Sequence, residues 1–508
     1  MFAKSHCCNV LGMDGQMVEV EADLSNGLPG FDIVGLPDSS IKESKERIRN
    51  AIKNTGLKLP IKKITINLAP ASLKKEGASF DLSIAMAILA TEDAEIGRQL
   101  GEYLLLGELA LDGKLRPVSG ILPMVIASVT SGIKKVILPT ENALEAAVVE
   151  DAEVYPAEHL LHVYQHFLGE KQLERTTVDI KQIMNNEELY DVDFSEVKGQ
   201  LDVRRAVEIA VAGGHNILMI GTPGSGKSMI AKRIPTILPD MTYDEALEVT
   251  KVHSVAGYIK NNTSLITTRP FRNPHHTIST TGLAGGGSYP RPGELSLAHN
   301  GVLFLDELPE FNPSTIEVLR QPLEDGEVTI SRVSGTAKYP CNILLVASMN
   351  PCKCGYYGDN ERECSCTPPA VAKYRGRISG PLLDRIDIHI NVPPVQFNDL
   401  RKGEKGESSA DIKERVNKAR KIQLERYKND GIYSNSQLTP KLTRQYCQID
   451  DESEMLLKMA FDKLGFSART HDRLLKVART VADLSAHENI SKSDIAEAIQ
   501  YRSFDRKL

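Results

Sequence analysis

The chain of 508 residues contains no tryptophan, and its aromatic residues amount to only 5%. That scarcity excludes an extended base-stacking platform as the main binding device. No stretch approaches the about 18 consecutive apolar residues of a spanning helix. The N-terminus, Met1-Phe2-Ala3-Lys4-Ser5-His6, also lacks an apolar run leading to a small-residue cleavage site. The chain therefore reads as cytoplasmic, with no membrane partner. A net charge of −6 excludes a general polycationic coat for nucleic acid but leaves room for a locally basic groove. Internal repeats and low-complexity tracts are absent. The eight cysteines are not expected to pair as disulfides, because cytosolic thiols stay reduced.

One further absence is local. Between Val249 and Gly293 there is no Asp or Glu, although acids number 67 in the whole chain. Random placement would put about six there. The same window carries Lys251, Lys260, Arg269, Arg272, Arg291, His253, His275 and His276, in a loop-rich context of prolines and glycines. A flexible cationic insert of this kind suits a polyanion, with Arg269, Arg272, His275 and His276 as the candidate DNA-binding residues. The alternative is a loop whose Arg and His side chains satisfy nearby carbonyls.

What is present is a composition of 41% hydrophobic and 25% charged residues, enough to build packed cores in about three domains. The sequence divides into an α+β segment (1–166), a polar linker (167–190), a motif-rich core (191–397), a charged hinge (398–411) and a helical C-terminal segment (412–508). In the last of these, Leu474, Val477, Ala478 and Val481 share one helical face.

The core holds the chemistry. The apolar run Asn216 to Ile220 leads into Gly221-Thr222-Pro223-Gly224-Ser225-Gly226-Lys227-Ser228, and a helical pattern follows. Strand, G-x-x-x-x-G-K-S and helix together predict a phosphate-binding loop. Backbone N–H groups and the helix N-terminus would face the phosphates, Lys227 would reach the β/γ-phosphates, and Ser228 would ligate Mg²⁺. Downstream, Gly301-Val302-Leu303-Phe304-Leu305-Asp306-Glu307 reads as a buried strand ending in two acids. Asp306 is the candidate Mg²⁺ partner, and Glu307 the candidate base for the attacking water. A third apolar strand, Ile343 to Ser348, leads to Asn350, a candidate for holding that water. Arg385, in Leu382-Leu383-Asp384-Arg385-Ile386-Asp387, is the candidate arginine finger for a neighbour's ATP, unless it only pairs with an adjacent acid. Arg469, in the helical segment, is expected to close a lid over the nucleotide, with Arg473 competing for the role. An arginine supplied in trans implies a ring, most simply a hexamer.

Cys352-Lys353-Cys354 and Cys364-Ser365-Cys366 flank a nine-residue polar loop. Four thiolates so close could hold a structural Zn²⁺, although C-x-C is tighter than the usual knuckle and free or redox-active thiols are the other reading.

These motifs together resemble the ComM/YifB family of magnesium-chelatase-like AAA+ ATPases. The resemblance rests on GGHNILMIGTPGSGKSMIAKRIPTILP, PFRNPHHTIS, RPGELSLAHNGVLFLDELPEF and GRISGPLLDRIDIH. It implies an AAA+ P-loop core of α/β class, a helical lid, a hexameric ring, and a β-hairpin over Glu327 to Tyr339. It also implies ATP and Mg²⁺ as cofactors and DNA, branched or single-stranded, as the substrate of a branch-migration helicase in natural transformation. The N-terminal segment resembles a Lon-type protease domain, with Ser79 at the nucleophile position but Leu122 where the lysine base would stand. Leucine cannot accept a proton, so this domain is expected to be proteolytically inactive. A metal-chelatase subunit, a protein-remodelling ATPase and an ATP-dependent protease are the competing functions.

Overall fold

The computed structural model describes residues 1–185, 190–259, 263–287, 290–332, 335–359, 361–395, 406–464 and 466–502. Two sheets organise it. The first has seven strands: β1 (Phe2–Leu11), β2 (Asp14–Ser25), β3 (Gly30–Val34), β4 (Lys63–Ala69), β5 (Tyr103–Leu105), β6 (Lys135–Pro139) and β7 (Glu153–Ala157). Their order is β3-β4-β2-β1-β5-β6-β7, antiparallel from β4 through β1 and parallel elsewhere. In β4 every second residue, Ile64, Ile66 and Leu68, is buried, the alternation of a sheet with one core face. Helix Asp81–Ala90 packs against this sheet and is buried on all sides, which explains why it is apolar all round.

The second sheet contains β8 (Ile217–Ile220), β9 (Phe271–Arg272), β10 (Val302–Leu305), β13 (Leu344–Met349) and β14 (Ile388–Asn391). The hairpin β11 (Glu327–Arg332) and β12 (Gly335–Pro340) is inserted between β10 and β13. The sheet order is β9-β10-β13-β8-β14, and every pairing is parallel. β8 and β10 are fully buried, as central parallel strands covered on both faces must be. This is the expected α/β architecture with a parallel P-loop sheet. The C-terminal helices share one apolar core with it: Leu474, Val477, Ala478 and Val481 join Val203, Ile217 and Ile388 in a single cluster.

The segment that reads as a linker is not wholly polar spacer. Thr176 N donates to Val154 O at 2.9 Å, and helix Ile180–Met184 follows, capped by Asp179. Val178, Ile183 and Met184 are packed on apolar neighbours, a pattern hidden by the polar residues between them. Of the expected hinge, residues 398–405 lie outside the described residues. Ser408 caps the helix that follows, Ser409–Arg426.

The two sheets' surroundings meet at Leu122. Its side chain is fully buried in a cluster with Val148, Met241, Ala246, Val249 and Leu265. Hydrogen bonds reinforce the contact with helix Tyr243–Ala256: Gly120 N donates to Ser254 O at 3.0 Å and Leu122 N to Ser254 Oγ at 3.4 Å. A second contact lies at the β1–β2 turn, where Met13 joins Val328, Ile330, Ala337 and Tyr339 of the β11–β12 hairpin. Asp14 there pairs with Lys251 at 3.5 Å.

Candidate active site

In a parallel sheet every strand delivers its following loop to the same edge, and that edge is where ligands bind. The P-loop follows β8, Asp306 and Glu307 follow β10, and Asn350 follows β13. These three strands are neighbours in the sheet. The fold therefore gathers motifs that lie up to 123 residues apart in the chain.

Lys227 is the hub. Its Nζ donates to Gly221 O at 2.7 Å, Thr222 O at 3.0 Å and Asn350 Oδ1 at 3.2 Å. Burial pulls its ammonium below the ordinary lysine range, and the nearby charges of Asp306 and Glu307 pull it back up. The Ser228 hydroxyl donates to Asp306 Oδ2 at 2.7 Å. Two oxygen donors converging at that distance form the start of a cradle for a hard divalent cation, so the residues fit Mg²⁺. Gly224 and Gly226 adopt φ of +83° and +92°, which turns the backbone of Gly221 to Ser228 into the concave shape a phosphate needs. Helix Lys227–Arg233 begins directly behind them. Glu307 is exposed and has φ +54°, a left-handed conformation that aims it out of the strand axis.

Two contributors escaped the sequence reading. The Ser348 hydroxyl donates to Asp306 Oδ1, and Glu307 N donates to the same oxygen at 3.1 Å and to Ser348 Oγ at 3.3 Å. Ser348 thus fixes both acids. Its signal was a lone hydroxyl within the buried strand Leu344–Met349. Gln200, at φ +50°, donates from Nε2 to Ser225 O at 2.9 Å and Pro393 O at 2.5 Å, bracing the P-loop from outside the motif.

The arginines stand elsewhere. Arg385 precedes β14, whose first residue, Ile388, is in register with Ile217 at the start of β8. The P-loop leaves the other end of β8, roughly 13 Å further along at about 3.3 Å per residue. The Arg385 side chain is 9% exposed, donates to Pro381 O at 2.8 Å and pairs with Glu324, not with the adjacent acids. Its bond to Arg385 draws the Glu324 carboxyl below its ordinary range, and the charges of Arg469 and Arg473 act on the same carboxyl. Arg473 is bonded to Asp387 at 2.6 Å. Burial alone would raise Asp387, yet Arg473, His215 and Arg502 hold it well below the usual carboxylate range. Arg469 is exposed, and its charge acts on Glu324, the partner of Arg385.

Arg269 and Arg272 are both paired with acids. Arg269 is 8% exposed and bonded at 3.0 Å to both carboxylate oxygens of buried Glu245, and Arg272 is clamped by Glu294 at 2.6 and 2.7 Å. Both acids lie just outside the acid-free window and neutralise it from its flanks. Arg269 is thereby committed inside the fold, whereas Arg272, 32% exposed, meets Glu294 through Nε and Nη2. His275 is exposed, and its ring lies 4.1 Å from that of His276, which in turn meets Phe311 edge-on. Arg291 is exposed, as is Arg332, whose guanidinium meets Gly287 O on the adjoining loop. Lys260 lies outside the described residues.

The four cysteines Cys352, Cys354, Cys364 and Cys366 converge, with all sulfurs within 4.8 Å of one another. Among the described residues no helix is long and apolar enough to cross a membrane.

Comparison with known proteins agrees with this geometry. Residues 193–400 match the family profile of magnesium chelatase subunit ChlI, residues 20–142 match a second ChlI profile, and residues 406–502 match its C-terminal profile. The chain is 42% identical to competence protein ComM of Haemophilus influenzae over 98% of its own length and 97% of that protein. It is 42% identical to YifB of Escherichia coli over 99% and 97% of the two chains. A weaker similarity, 24% identity over 159 residues, links 30% of this chain to 17% of the Lon protease of Desulfovibrio desulfuricans. The chain belongs to the ComM/YifB family and is a magnesium-chelatase-type AAA+ ATPase.

Proposed function

We propose that this chain is an ATP-driven motor that works on DNA as a ring of identical subunits, most simply a hexamer. The observation that carries the reading is the single pocket in which Lys227, Ser228, Asp306, Glu307 and Asn350 meet, while Arg385 stands at the opposite end of the same sheet and Arg469 acts on its partner Glu324. Glu307 takes the proton of the attacking water, Asn350 orients that water, and Ser348 keeps the two acids aligned. Ser228 and Asp306 would hold Mg²⁺, which would supply charge neutralisation to the phosphates. Arg385 is too far along the sheet to serve its own chain's nucleotide, and a neighbouring copy's pocket is the site it fits. The segments 1–166, 191–397 and 412–508 act as N-terminal domain, ATPase core and helical domain of this motor.

DNA is the substrate that the exposed Arg291 and Arg332 favour: Arg332 ends β11, and Arg291 pairs with Gly286 in the short strand pair beside it. The His275–His276 pair is a further candidate contact. The ComM relative is named a competence protein, in keeping with a role in recombination or natural transformation, and branch migration by helicase action is the corresponding activity. The matched profiles' name favours a second reading, a chelatase-type subunit that drives metal insertion. ATPase rates with no DNA, single-stranded, duplex and branched DNA separate the two. Several-fold stimulation by branched DNA is expected, and an unchanged rate with every DNA would sink the DNA reading.

We also infer that the N-terminal domain is not a peptidase. Leu122, at the position of a Lon lysine, is committed to the apolar contact with Met241 and Val249. The Lys75 amine, though buried, is taken up by the carbonyls of Gly35, Leu68 and Pro70 and offers no free base. Leu122→Lys should therefore leave casein uncut in the presence of ATP. It should also lower the urea midpoint, since an unpaired ammonium in an apolar cluster costs several kcal/mol. ATP-dependent casein cleavage by the native chain, abolished by Ser79→Ala, would overturn the inference.

A further inference from the structure

Cys352, Cys354 and Cys364 have sulfurs 3.3 to 3.6 Å apart, and Cys366 lies within 4.8 Å of all three. Metal–sulfur bonds of about 2.3 Å in a tetrahedron put sulfurs about 3.8 Å apart, so the quartet has the size of a zinc tetrathiolate. Cys352 is buried and the other three are half-buried, which leaves one side open for loading.

The position of this quartet is the informative part. Cys352 follows Asn350 by two residues, and the intervening Pro351 has its carbonyl held by Arg375 Nε at 3.0 Å. Gly355 N donates to Cys352 O at 3.0 Å, closing a turn in which Gly355 has φ +92°. That turn lies on the P-loop: a Cβ at Gly355 would stand 2.5 Å from Pro223 Cδ and 2.6 Å from Pro223 Cγ. The far end of the cysteine loop, Cys366-Thr367, opens helix Pro368–Arg375. Tyr374 on that helix is buried and interacts with the Asn350 main chain. The loop thus touches the nucleotide pocket on both sides, at Pro223 of the phosphate cradle and at Asn350.

We propose that the four cysteines bind one Zn²⁺ and that the metal-held loop is a positioning element of the ATP site, acting on Pro223 through Gly355 and on Asn350 through Pro351. The inference rests on the reading of the Lys227 pocket as the ATP site. Without the ion, four thiols offer little to hold two C-x-C segments together, because metal–ligand bonds are what order a small loop of this kind. The Pro223 contact and the placement of Asn350 then loosen together. Occupancy of the cysteine site sets how well the P-loop is formed, and agents that remove zinc or oxidise thiols reach the motor through this route.

The test uses the full chain, purified under reducing conditions. Elemental analysis should find about one zinc per chain, falling to near zero in Cys364→Ser/Cys366→Ser. Removing the metal with a zinc-selective chelator should lower turnover by about 10- to 10²-fold, the usual cost of misplacing a reacting group, and added Zn²⁺ should restore it. Gly355→Ala should keep its zinc yet show a comparable loss, because its new methyl group pushes on Pro223. A native chain without zinc overturns the metal site. Zinc-free protein, or zinc-loaded Gly355→Ala, that hydrolyses ATP at the native rate overturns the coupling. Failure of the native zinc-loaded chain to bind a fluorescent ATP analogue would instead sink the ATP-site reading and leave the metal site standing.

Discussion

Glu307→Gln is expected to bind ATP as the native chain does while hydrolysing it about 10²- to 10⁴-fold more slowly, the range a general base contributes. The amide has nearly the size and polarity of the carboxylate, and Glu307 N would still donate to Asp306 Oδ1 and Ser348 Oγ. What is lost is the carboxylate's basicity, since the neutral amide oxygen does not take a proton from water. Lys227 supplies the contrast. Its amine is bonded to Gly221 O, Thr222 O and Asn350 Oδ1, so Lys227→Ala removes the cation and its link to the opposite strand and should abolish nucleotide binding itself. Binding of a fluorescent ATP analogue and steady-state phosphate release measure the two effects separately. Normal turnover by Glu307→Gln would remove the base assignment.

Arg385→Ala carries the other large effect, a loss of about 10³- to 10⁵-fold in turnover, the contribution of an arginine finger. The reason lies in the sheet. Arg385 precedes the strand whose start is level with the start of β8, and its own P-loop leaves the opposite end. If the guanidinium serves the neighbouring subunit, its loss and the loss of Glu307 fall on different pockets. Mixing Arg385→Ala with Glu307→Gln should then recover part of the native rate. A pocket from the first variant keeps Glu307 and receives Arg385 from the second. Recovery of nothing, or full activity of Arg385→Ala alone, would show that Arg385 only holds Glu324 in place.

Much of this site could be read along the chain because its chemistry is local. A P-loop must be contiguous, since successive backbone N–H groups do the binding, and the Gly221 to Ser228 run declares itself. The two acids after Leu305 and the amide after Met349 are legible as strand tips. The charged window was legible only in part. Its lack of acids was visible, but the pairing of Arg269 with Glu245 and Arg272 with Glu294 was not, because burial decides which cation is spent on a carboxylate. Which nucleotide Arg469 faces was not legible for a similar reason. A helix in a C-terminal segment can be set against either end of a sheet, and nothing in Ser467-Ala468-Arg469 says which.

The amino-acid order alone determined the reaction class, since phosphate cradle, metal-binding acid and candidate base are each written in short runs. The partnership of those runs was decided in three dimensions. Parallel pairing of β8, β13 and β10 brings their loops to one edge and leaves Arg385 at the other. The same packing turned Leu122 from a lost base into a contact between domains, and set the cysteine turn against Pro223. Contacts between segments distant in the chain depend on register, burial and the direction of strands, and no local stretch encodes these by itself.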